Sequence, residues 1–165
     1  MIVAGAPATG KTTLALALGR SLELPVITKD DVKEALAAPF QTGDRDWSRQ
    51  LGVAAYSVLF AVAERVLAGG QGLILESNFR CGISDPPLRG LAALAPTVVI
   101  VCRTPLARER FAERATRGRH RVHIDDAVFQ IDVGTPRLVV DTTDGYVPDL
   151  REIVAFARDA GGLAP

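Results

Sequence analysis

The sequence predicts an α/β fold in which a five-stranded parallel sheet carries helices on both faces. Three features point to this fold: short, nearly continuous apolar runs, helical patterns between them, and a glycine-rich segment directly after the first run. Strands that are covered on both faces form continuous apolar runs, because neither face meets water. Their alternation with helices is typical of parallel sheets with crossover helices.

The predicted strands are residues 2–4, 25–28, 73–76, 97–102 and 138–141. The first helix follows Lys11, where leucines repeat at every fourth position. The longest helix runs from about Trp47 to Leu67 and ends at Gly69-Gly70. Its predicted core face consists of Leu51, Ala55, Val58, Val62 and Val66. Two more helices are expected over about 105–116 and 148–160, whereas Pro86-Pro87 indicates a loop.

Length and composition limit the classes of protein that the chain can represent. Its 165 residues predict one domain over 1–165, and 48% hydrophobic residues are enough to form a core. Nineteen basic and nineteen acidic residues balance, which argues against a protein that coats nucleic acid through bulk charge. The two cysteines lie far apart, and the apolar runs predict neither a leader peptide nor a membrane span. We therefore expect a soluble cytoplasmic protein without a membrane partner.

The glycine-rich segment Gly5-Ala6-Pro7-Ala8-Thr9-Gly10-Lys11-Thr12 fits the pattern G-x-x-x-x-G-K-[ST] without a mismatch. This pattern between a strand and a helix is the phosphate loop (P-loop) of nucleoside triphosphatases, whose backbone N–H groups converge on phosphate oxygens. Lys11 is expected to reach the β- and γ-phosphates, and the Thr12 hydroxyl to bind Mg²⁺. The predicted cofactors are ATP and Mg²⁺. The predicted nucleotide contacts are Gly5, Ala6, Pro7, Ala8, Thr9, Gly10, Lys11, Thr12 and Thr13.

Two other classes of P-loop protein fit the sequence less well. A GTPase would need a guanine-reading Asn-Lys-x-Asp near the end of the chain, whereas the similar Thr28-Lys29-Asp30-Asp31 follows the second strand. A ring-forming ATPase would need a helical domain after the last strand, where about 24 residues remain. The preference between ATP and GTP stays open. A small kinase needs neither feature.

Polar residues at the ends of the second and third strands are candidates for the acceptor side. Asp30 is the candidate general base, and the alternative role for Asp30 or Asp31 is to cap the following helix. Glu76 is expected to hold Mg²⁺ through a water molecule, or else to organise the phosphate loop. The predicted acceptor contacts are Asp30, Lys33, Asn78 and Arg80.

A basic segment follows the fourth strand. Seven arginines lie between residues 103 and 121, against Glu109 and Glu113. We interpret about 104–130 as a lid whose arginines contact the transferred phosphoryl group, with Arg117 and Arg114 as the candidates. The alternatives are contact with nucleic acid and a solvated helix with internal ion pairs.

Together these motifs resemble the small P-loop kinases, a group that includes polynucleotide kinase domains, chloramphenicol phosphotransferase, gluconate kinase and the zeta toxins. The resemblance spans nearly the whole chain and includes Leu138-Val139-Val140-Asp141-Thr142-Thr143, which is similar to a run in chloramphenicol phosphotransferase. It implies that Asp30 is the general base and that Arg117 contacts phosphate. Lys33 stands where polynucleotide kinases have an arginine, and Glu76-Ser77-Asn78 replaces Asp-Thr-Asn.

The sequence thus favours an ATP-dependent kinase that moves the γ-phosphoryl group to a hydroxyl of a small molecule. A polynucleotide 5′-hydroxyl kinase is the first alternative, but the two departures make nucleic acid the less favoured partner. The second alternative is a nucleotide-dependent switch or binding protein with little transfer activity. The acceptor and the oligomeric state stay open at this point.

Overall fold

The computed structural model describes residues 1–40, 44–116 and 131–162. The elements, in chain order, are β1 (Ile2–Ala4), α1 (Lys11–Leu22), β2 (Val26–Thr28), α2 (Lys29–Ala37), α3 (Arg45–Ala68), β3 (Ile74–Ser77), α4 (Asp85–Leu94), β4 (Val99–Arg103), α5 (Ala107–Thr116), β5 (Arg137–Asp141) and α6 (Leu150–Gly161).

All five strands form one parallel sheet in the order β2-β3-β1-β4-β5. The central strand β1 pairs on both sides, so that Val3 lies between Glu76 of β3 and Ile100 of β4. The carboxyl ends of the strands therefore meet at one edge of the sheet, where ligands bind in open α/β folds. The five predicted strands and their parallel arrangement are confirmed.

Helices cover both faces of the sheet, as predicted. On one face α3 and α4 pack with Leu59, Ala63, Phe79 and Leu88 in a core around Leu75. On the other face α1 and α6 pack against β1, β4 and β5, with Leu14, Leu18 and Ile153 fully buried. Both faces of the central strands are therefore dry, which explains why their sequences lack alternation.

The predicted core face of α3 is right for Ala55 and wrong for Val58 and Val62. Ala55, Leu59 and Ala63 are fully buried, whereas Val58 and Val62 are 38% and 39% exposed. The helix is apolar on most of its circumference, so that two neighbouring rows of side chains fit a helical period equally well. The sheet and α4 decide which row is buried, and that choice depends on contacts between distant parts of the chain.

The prediction of a loop at Pro86-Pro87 is also wrong, because both prolines lie in the first turn of α4. N–H groups in a first helical turn have no intrahelical acceptor, so proline loses little there, and its φ angle already suits a helix. Leu88 and Leu91 then bury the inner face of α4 against the sheet.

We predict that Leu59→Ala lowers the free energy of unfolding by about 2–5 kcal/mol, because it leaves a cavity in a close-packed core. Val58→Ala, one residue away on the same helix, is the matched control and should cost under about 1 kcal/mol. Urea denaturation followed by circular dichroism measures both. An equal loss in the two variants would contradict the observed orientation of α3.

Candidate active site

The phosphate loop connects β1 to α1 and is shaped by backbone conformations that glycine adopts without strain. Gly5 and Gly10 have φ angles of +148° and +77°. A Cβ atom at Gly5 would lie 2.5 Å from the carbonyl oxygen of Cys102, so that no larger residue fits beside β4. Ala8 also has a positive φ, of 61°. This curvature is the backbone form in which successive N–H groups bind an anion.

The residues of this loop fit a bound phosphate. Helix α1 begins at Lys11, and no side chain in the described part of the protein caps its N-terminus. The first N–H groups of a helix have no intrahelical acceptor, and the helix dipole adds positive potential there. Pro7 is half-buried, and Thr13 is exposed in the first turn of α1. The arrangement therefore offers N–H groups to an anion at the predicted place.

Two side chains of the loop hold its own backbone. The Lys11 ammonium group donates a hydrogen bond to the Ala6 carbonyl at 2.9 Å. The Thr9 hydroxyl, predicted as a nucleotide contact, also donates to the Ala6 carbonyl, at 2.8 Å. Thr9 is 2% exposed, so its hydroxyl stabilises the loop from the buried side.

Glu76, at the end of β3, joins the phosphate loop to the neighbouring strand. The Thr12 hydroxyl donates to Glu76 Oε2 at 2.8 Å, and Lys11 Nζ lies 3.9 Å from Glu76 Oε1. Glu76 is 5% exposed, and this burial raises the pKa of its carboxyl group, against the opposing effects of the Lys11 charge and the Thr12 hydrogen bond. The predicted pairing of Glu76 with the loop is thus present.

Thr12 and Glu76 together fit a magnesium ion that is shared with a nucleotide. Mg²⁺ prefers oxygen ligands, keeps several waters and depends on substrate phosphates for the rest of its octahedron. The donor pair consists of one hydroxyl and one carboxylate. Among residues 1–40, 44–116 and 131–162 no group of three His, Cys, Asp or Glu side chains could hold a metal. A metal at this site would therefore depend on the bound phosphates.

The phosphate loop is also tied to the segment after β5. The Thr142 hydroxyl donates to the Thr9 carbonyl at 2.7 Å, and the Thr142 N–H donates to the Arg103 carbonyl at 2.9 Å. Between these elements lies a cavity of about 550 Å³, which is lined by residues from the loop, β4 and the start of α5. Its volume is in the range of small-molecule sites.

Arg110 connects helix α5 to the same segment. Its guanidinium donates to the carbonyl oxygens of Thr142 and Thr143 at 3.1 and 2.6 Å. The sequence placed Arg110 among the basic residues of the lid without this role, because its acceptors are backbone atoms over 30 positions away. The start of the predicted lid is therefore anchored at the edge of the cavity.

On the other side of the phosphate loop, Asp30 lies in the first turn of α2. Its carboxylate is 81% exposed and accepts a hydrogen bond from Lys29 Nζ at 3.1 Å. The alternative role as an N-cap is wrong for both aspartates, because the Thr28 hydroxyl caps the helix by accepting from the Asp31 N–H at 3.0 Å. Thr28 ends β2 and takes this role, so the Asp30 side chain is not used by the cap.

Tyr56 of α3 lies among the predicted acceptor contacts, although the sequence patterns did not single it out. Its hydroxyl lies 2.9 Å from the Ser77 hydroxyl and 3.4 Å from the Asn78 carbonyl oxygen. The Lys29 ammonium lies 5.8 Å from the centre of its ring, within cation–π range. Burial raises the pKa of Tyr56. The available signal was a tyrosine within a helix segment that is otherwise almost entirely apolar.

Of the other predicted acceptor contacts, Asn78 and Arg80 lie near this tyrosine, whereas Lys33 lies near Lys29 and Asp30. Lys33 Nζ donates to the Ser48 hydroxyl at 2.8 Å, and burial, followed by the nearby charge of Lys29, lowers the pKa of Lys33. Asn78 is half-buried and accepts from the Ser77 hydroxyl at 3.3 Å. The positive charge of Arg80 acts on the Tyr56 hydroxyl.

The lid candidates are only partly described. Arg114 belongs to α5, but its side chain lies outside the described residues. Arg117 and the rest of the predicted lid to residue 130 lie outside them altogether. Their contact with phosphate stays a prediction.

We predict that the stability of the protein relative to its Glu76→Gln variant falls as the pH rises. Burial raises the pKa of Glu76 above its ordinary value of 4.5, so that the folded state binds this proton more tightly than the unfolded state. The resulting stabilisation is complete below pH 4.5 and is lost as the pH rises through the folded-state pKa. Denaturant unfolding between about pH 4 and pH 8 measures the difference.

The exposed Glu64→Gln controls for the loss of one carboxylate. A difference between the protein and Glu76→Gln that grows with pH would show that the ion pair with Lys11 outweighs the burial of Glu76. That result would contradict the prediction.

Comparison with known proteins agrees with this architecture. A family model described as an AAA domain, AAA_33, matches residues 1–131. The crystal structure of a candidate kinase from Chloroflexus aurantiacus J-10-fl is 36% identical over 96% of each chain, with a TM-score of 0.82. Among functionally curated proteins, none matches the chain.

Two more distant structures share the fold. Kti12 from Chaetomium thermophilum, solved in complex with ADP-AlF3, is 22% identical over 99% of this chain and 98% of its own, with a TM-score of 0.70. A gluconokinase from Sinorhizobium meliloti 1021 is 17% identical over 98% of this chain and 93% of its own, with a TM-score of 0.56. The chain therefore belongs to the AAA domain family AAA_33, and within the nucleotide-binding P-loop fold it is a small kinase-like protein.

Proposed function

We propose that the protein is an ATP-dependent kinase that transfers the γ-phosphoryl group to a hydroxyl of a small molecule. The observation that carries the proposal is the exposed Asp30 carboxylate, which stands at the carboxyl edge of the sheet near Glu76 and the phosphate loop. A kinase needs a proton acceptor beside the phosphate site, and a protein that only binds nucleotide does not.

In the proposed reaction the acceptor oxygen forms a bond to the γ-phosphorus while the bond between that phosphorus and the bridging oxygen breaks. The proton of the acceptor hydroxyl passes to Asp30, and ADP carries the electron pair of the broken bond. Lys11 and the N–H groups at the start of α1 hold the phosphates. Thr12 and, through a water, Glu76 would hold Mg²⁺, which would neutralise charge on the phosphate oxygens.

The lid completes this proposal. Arginines contributed by a lid stabilise charge on the transferred phosphoryl group and exclude water from it. Arg114 and Arg117 are our candidates for this contact. Arg110 is assigned elsewhere, because both described hydrogen bonds of its guanidinium go to the backbone after β5. Its role is to position the lid rather than to contact phosphate.

The charges around Tyr56 support an acceptor that carries an anionic group. Lys29 and Arg80 lie near the tyrosine, and Lys33 lies near Lys29 and Asp30. These cationic side chains favour a carboxylate or phosphate on the substrate, in addition to the hydroxyl. A small hydroxy acid or sugar phosphate fits this requirement.

We predict that Asp30→Asn lowers kcat for phosphoryl transfer by about 10²–10⁴-fold, because the acceptor proton loses its base. Nucleotide affinity should stay within about threefold, since Asp30 does not contribute to the phosphate loop. Asp31→Asn is the matched control: it changes the next residue of the same helical turn and should leave transfer nearly unchanged. Label transfer from ATP and equilibrium nucleotide binding measure the two effects.

Two results would contradict the proposal. If Asp30→Asn leaves turnover of ATP unchanged while binding of a partner depends on the nucleotide, the protein is a switch. If transfer occurs only to oligonucleotide 5′-hydroxyls and binding to them weakens with salt, the protein is a polynucleotide kinase.

We also predict that Lys33→Met raises the KM for an acidic acceptor by about 10–100-fold, the range expected for the loss of a charged hydrogen bond. The KM for the neutral analogue should change little, and Lys33→Arg should keep the charge and restore part of the affinity. Matched pairs of acceptors, such as a hydroxy acid and its amide, separate the two effects. Equal changes in KM for both members would contradict an anionic acceptor group.

A further inference from the structure

Lys29, the first residue of α2, makes a contact that helix geometry alone does not explain. Its ammonium group lies 3.1 Å from Oδ1 of Asp30, the next residue in the chain. Side chains at neighbouring positions of a helix point about 100° apart and do not face each other. The Lys29 side chain therefore bends towards the carboxylate instead of extending into water.

The ring of Tyr56 on α3 accounts for this bend. Lys29 Nζ lies over the ring, 5.8 Å from its centre, where the electron-rich face attracts an ammonium group. Only 14% of the Lys29 side chain is exposed, although lysines normally keep their charged end in water. The ammonium group is thus held between the ring of one helix and the Asp30 carboxylate of another.

Tyr56 is itself held in one orientation. Its ring stacks on Phe60, with ring centres 5.8 Å apart, and packs against the fully buried Phe79. Aromatic pairs at such distances favour particular orientations of the rings, in addition to the gain from burial. A continuous series of contacts therefore runs from the core of the protein through Tyr56 and Lys29 to Asp30.

Helix spacing alone would pair Asp30 with a different cation, Lys33. Residues three positions apart on a helix are neighbours. In the structure, however, Lys33 Nζ donates to the Ser48 hydroxyl of α3 at 2.8 Å. Within the described part of the chain, the ion pair of Asp30 is made with Lys29. The orientation of the Asp30 carboxylate therefore depends on Lys29.

The ion pair between Lys29 and Asp30 matters more for orientation than for stability. The Asp30 side chain is 81% exposed, and ion pairs with an exposed partner contribute little to folding. An exposed carboxylate without a partner samples several rotamers. A base acts only while its oxygen is within hydrogen-bond reach of the proton that it accepts. Holding this carboxylate in one rotamer thus serves the reaction more than the fold.

We propose that Lys29 is a positioning residue of the phosphoryl transfer: held against the Tyr56 ring, it keeps the Asp30 carboxylate in one orientation. The inference rests on the proposed function, because it takes Asp30 as the general base. In this orientation the charge of Asp30 acts on Glu76 beside the phosphate loop. Lys29 contacts Oδ1, so Oδ2 is the oxygen that accepts the proton of the acceptor hydroxyl. Lys29 keeps its bond to Oδ1 and its charge throughout.

The first test measures the Asp30 rotamer and needs no acceptor. Three-bond NMR couplings in the isotope-labelled full chain give the χ1 populations of Asp30. We expect one dominant rotamer in the protein and averaging among rotamers in Lys29→Met, which keeps an apolar side chain against the ring but removes the charge. Lys29→Arg should restore the single rotamer, because a guanidinium keeps the charge and also stacks on aromatic rings.

Arg49→Met is the matched control for this measurement. It breaks another exposed ion pair, between Arg49 and Asp46 at 3.3 Å, and should leave the Asp30 rotamer unchanged. Rotamer averaging in the unaltered protein overturns the proposal. A single rotamer that persists in Lys29→Met overturns it as well.

The second test measures ATP turnover with water as the acceptor. We expect Lys29→Met to lower kcat about 10–100-fold, the range for a reacting group displaced by about 1 Å, while the KM for ATP stays within about threefold. Lys29→Arg should recover most of the loss. In the Asp30→Asn background, Lys29→Met should have no further effect. An equal loss in both backgrounds would show that Lys29 acts without Asp30, and that result overturns the proposal.

The two tests separate this inference from the proposed function. If Asp30→Asn leaves ATP turnover unchanged, the proposed function fails and the inference fails with it. If Asp30→Asn lowers turnover while Lys29→Met changes neither the rotamer nor kcat, the proposed function stands and the inference alone is overturned. Where turnover with water is too slow to measure, the rotamer decides. Circular dichroism and thermal unfolding show whether each variant keeps its fold.

Discussion

The position of β1 between β3 and β4 is the constraint on which the rest of the structure depends. Parallel pairing on both sides brings the carboxyl ends of these three strands to one edge of the sheet, where the phosphate loop follows β1. Because Val3 is paired with Glu76, the Glu76 side chain lies beside the start of α1. Because Ala4 is paired with Val101, the end of β4 at Cys102 lies beside Gly5. The site is therefore a consequence of strand register.

Two polar contacts then hold the phosphate loop at this edge, between the cavity beside β4 and the proposed acceptor side. The bond from the Thr142 hydroxyl to the Thr9 carbonyl closes the phosphate loop against the segment after β5. The bond from the Thr12 hydroxyl to Glu76 closes it against β3, beyond which lie Asp30 and Tyr56. Burial raises the pKa of Glu76, and its contacts with Lys11 and Thr12 on the loop offset part of the cost of burying this carboxylate. The protein's own side chains thus hold the loop from both sides.

Much of this could be predicted from local patterns. The strands were found because a strand covered on both faces has few polar residues, and the phosphate loop because its glycines and lysine have a required spacing. Errors arose where several solutions were locally equivalent. Helix α3 has two apolar rows, Pro86-Pro87 suits a loop or a first helical turn, and Thr28, Asp30 and Asp31 can all cap a helix. In the structure the row that contains Leu59 is buried, the two prolines lie in the first turn of α4, and Thr28 caps α2.

By itself the sequence determined the α/β class, the five strands and the chemistry of the phosphate loop, because these depend on residues that are close together in the chain. The tertiary structure decided the surroundings of the proposed acceptor side. Tyr56 meets Ser77 and Asn78 only because α3 packs across the end of β3, and Arg110 finds its acceptors only because β4 and β5 are neighbours. Contacts between such distant segments depend on packing and register, which no local pattern of residues specifies.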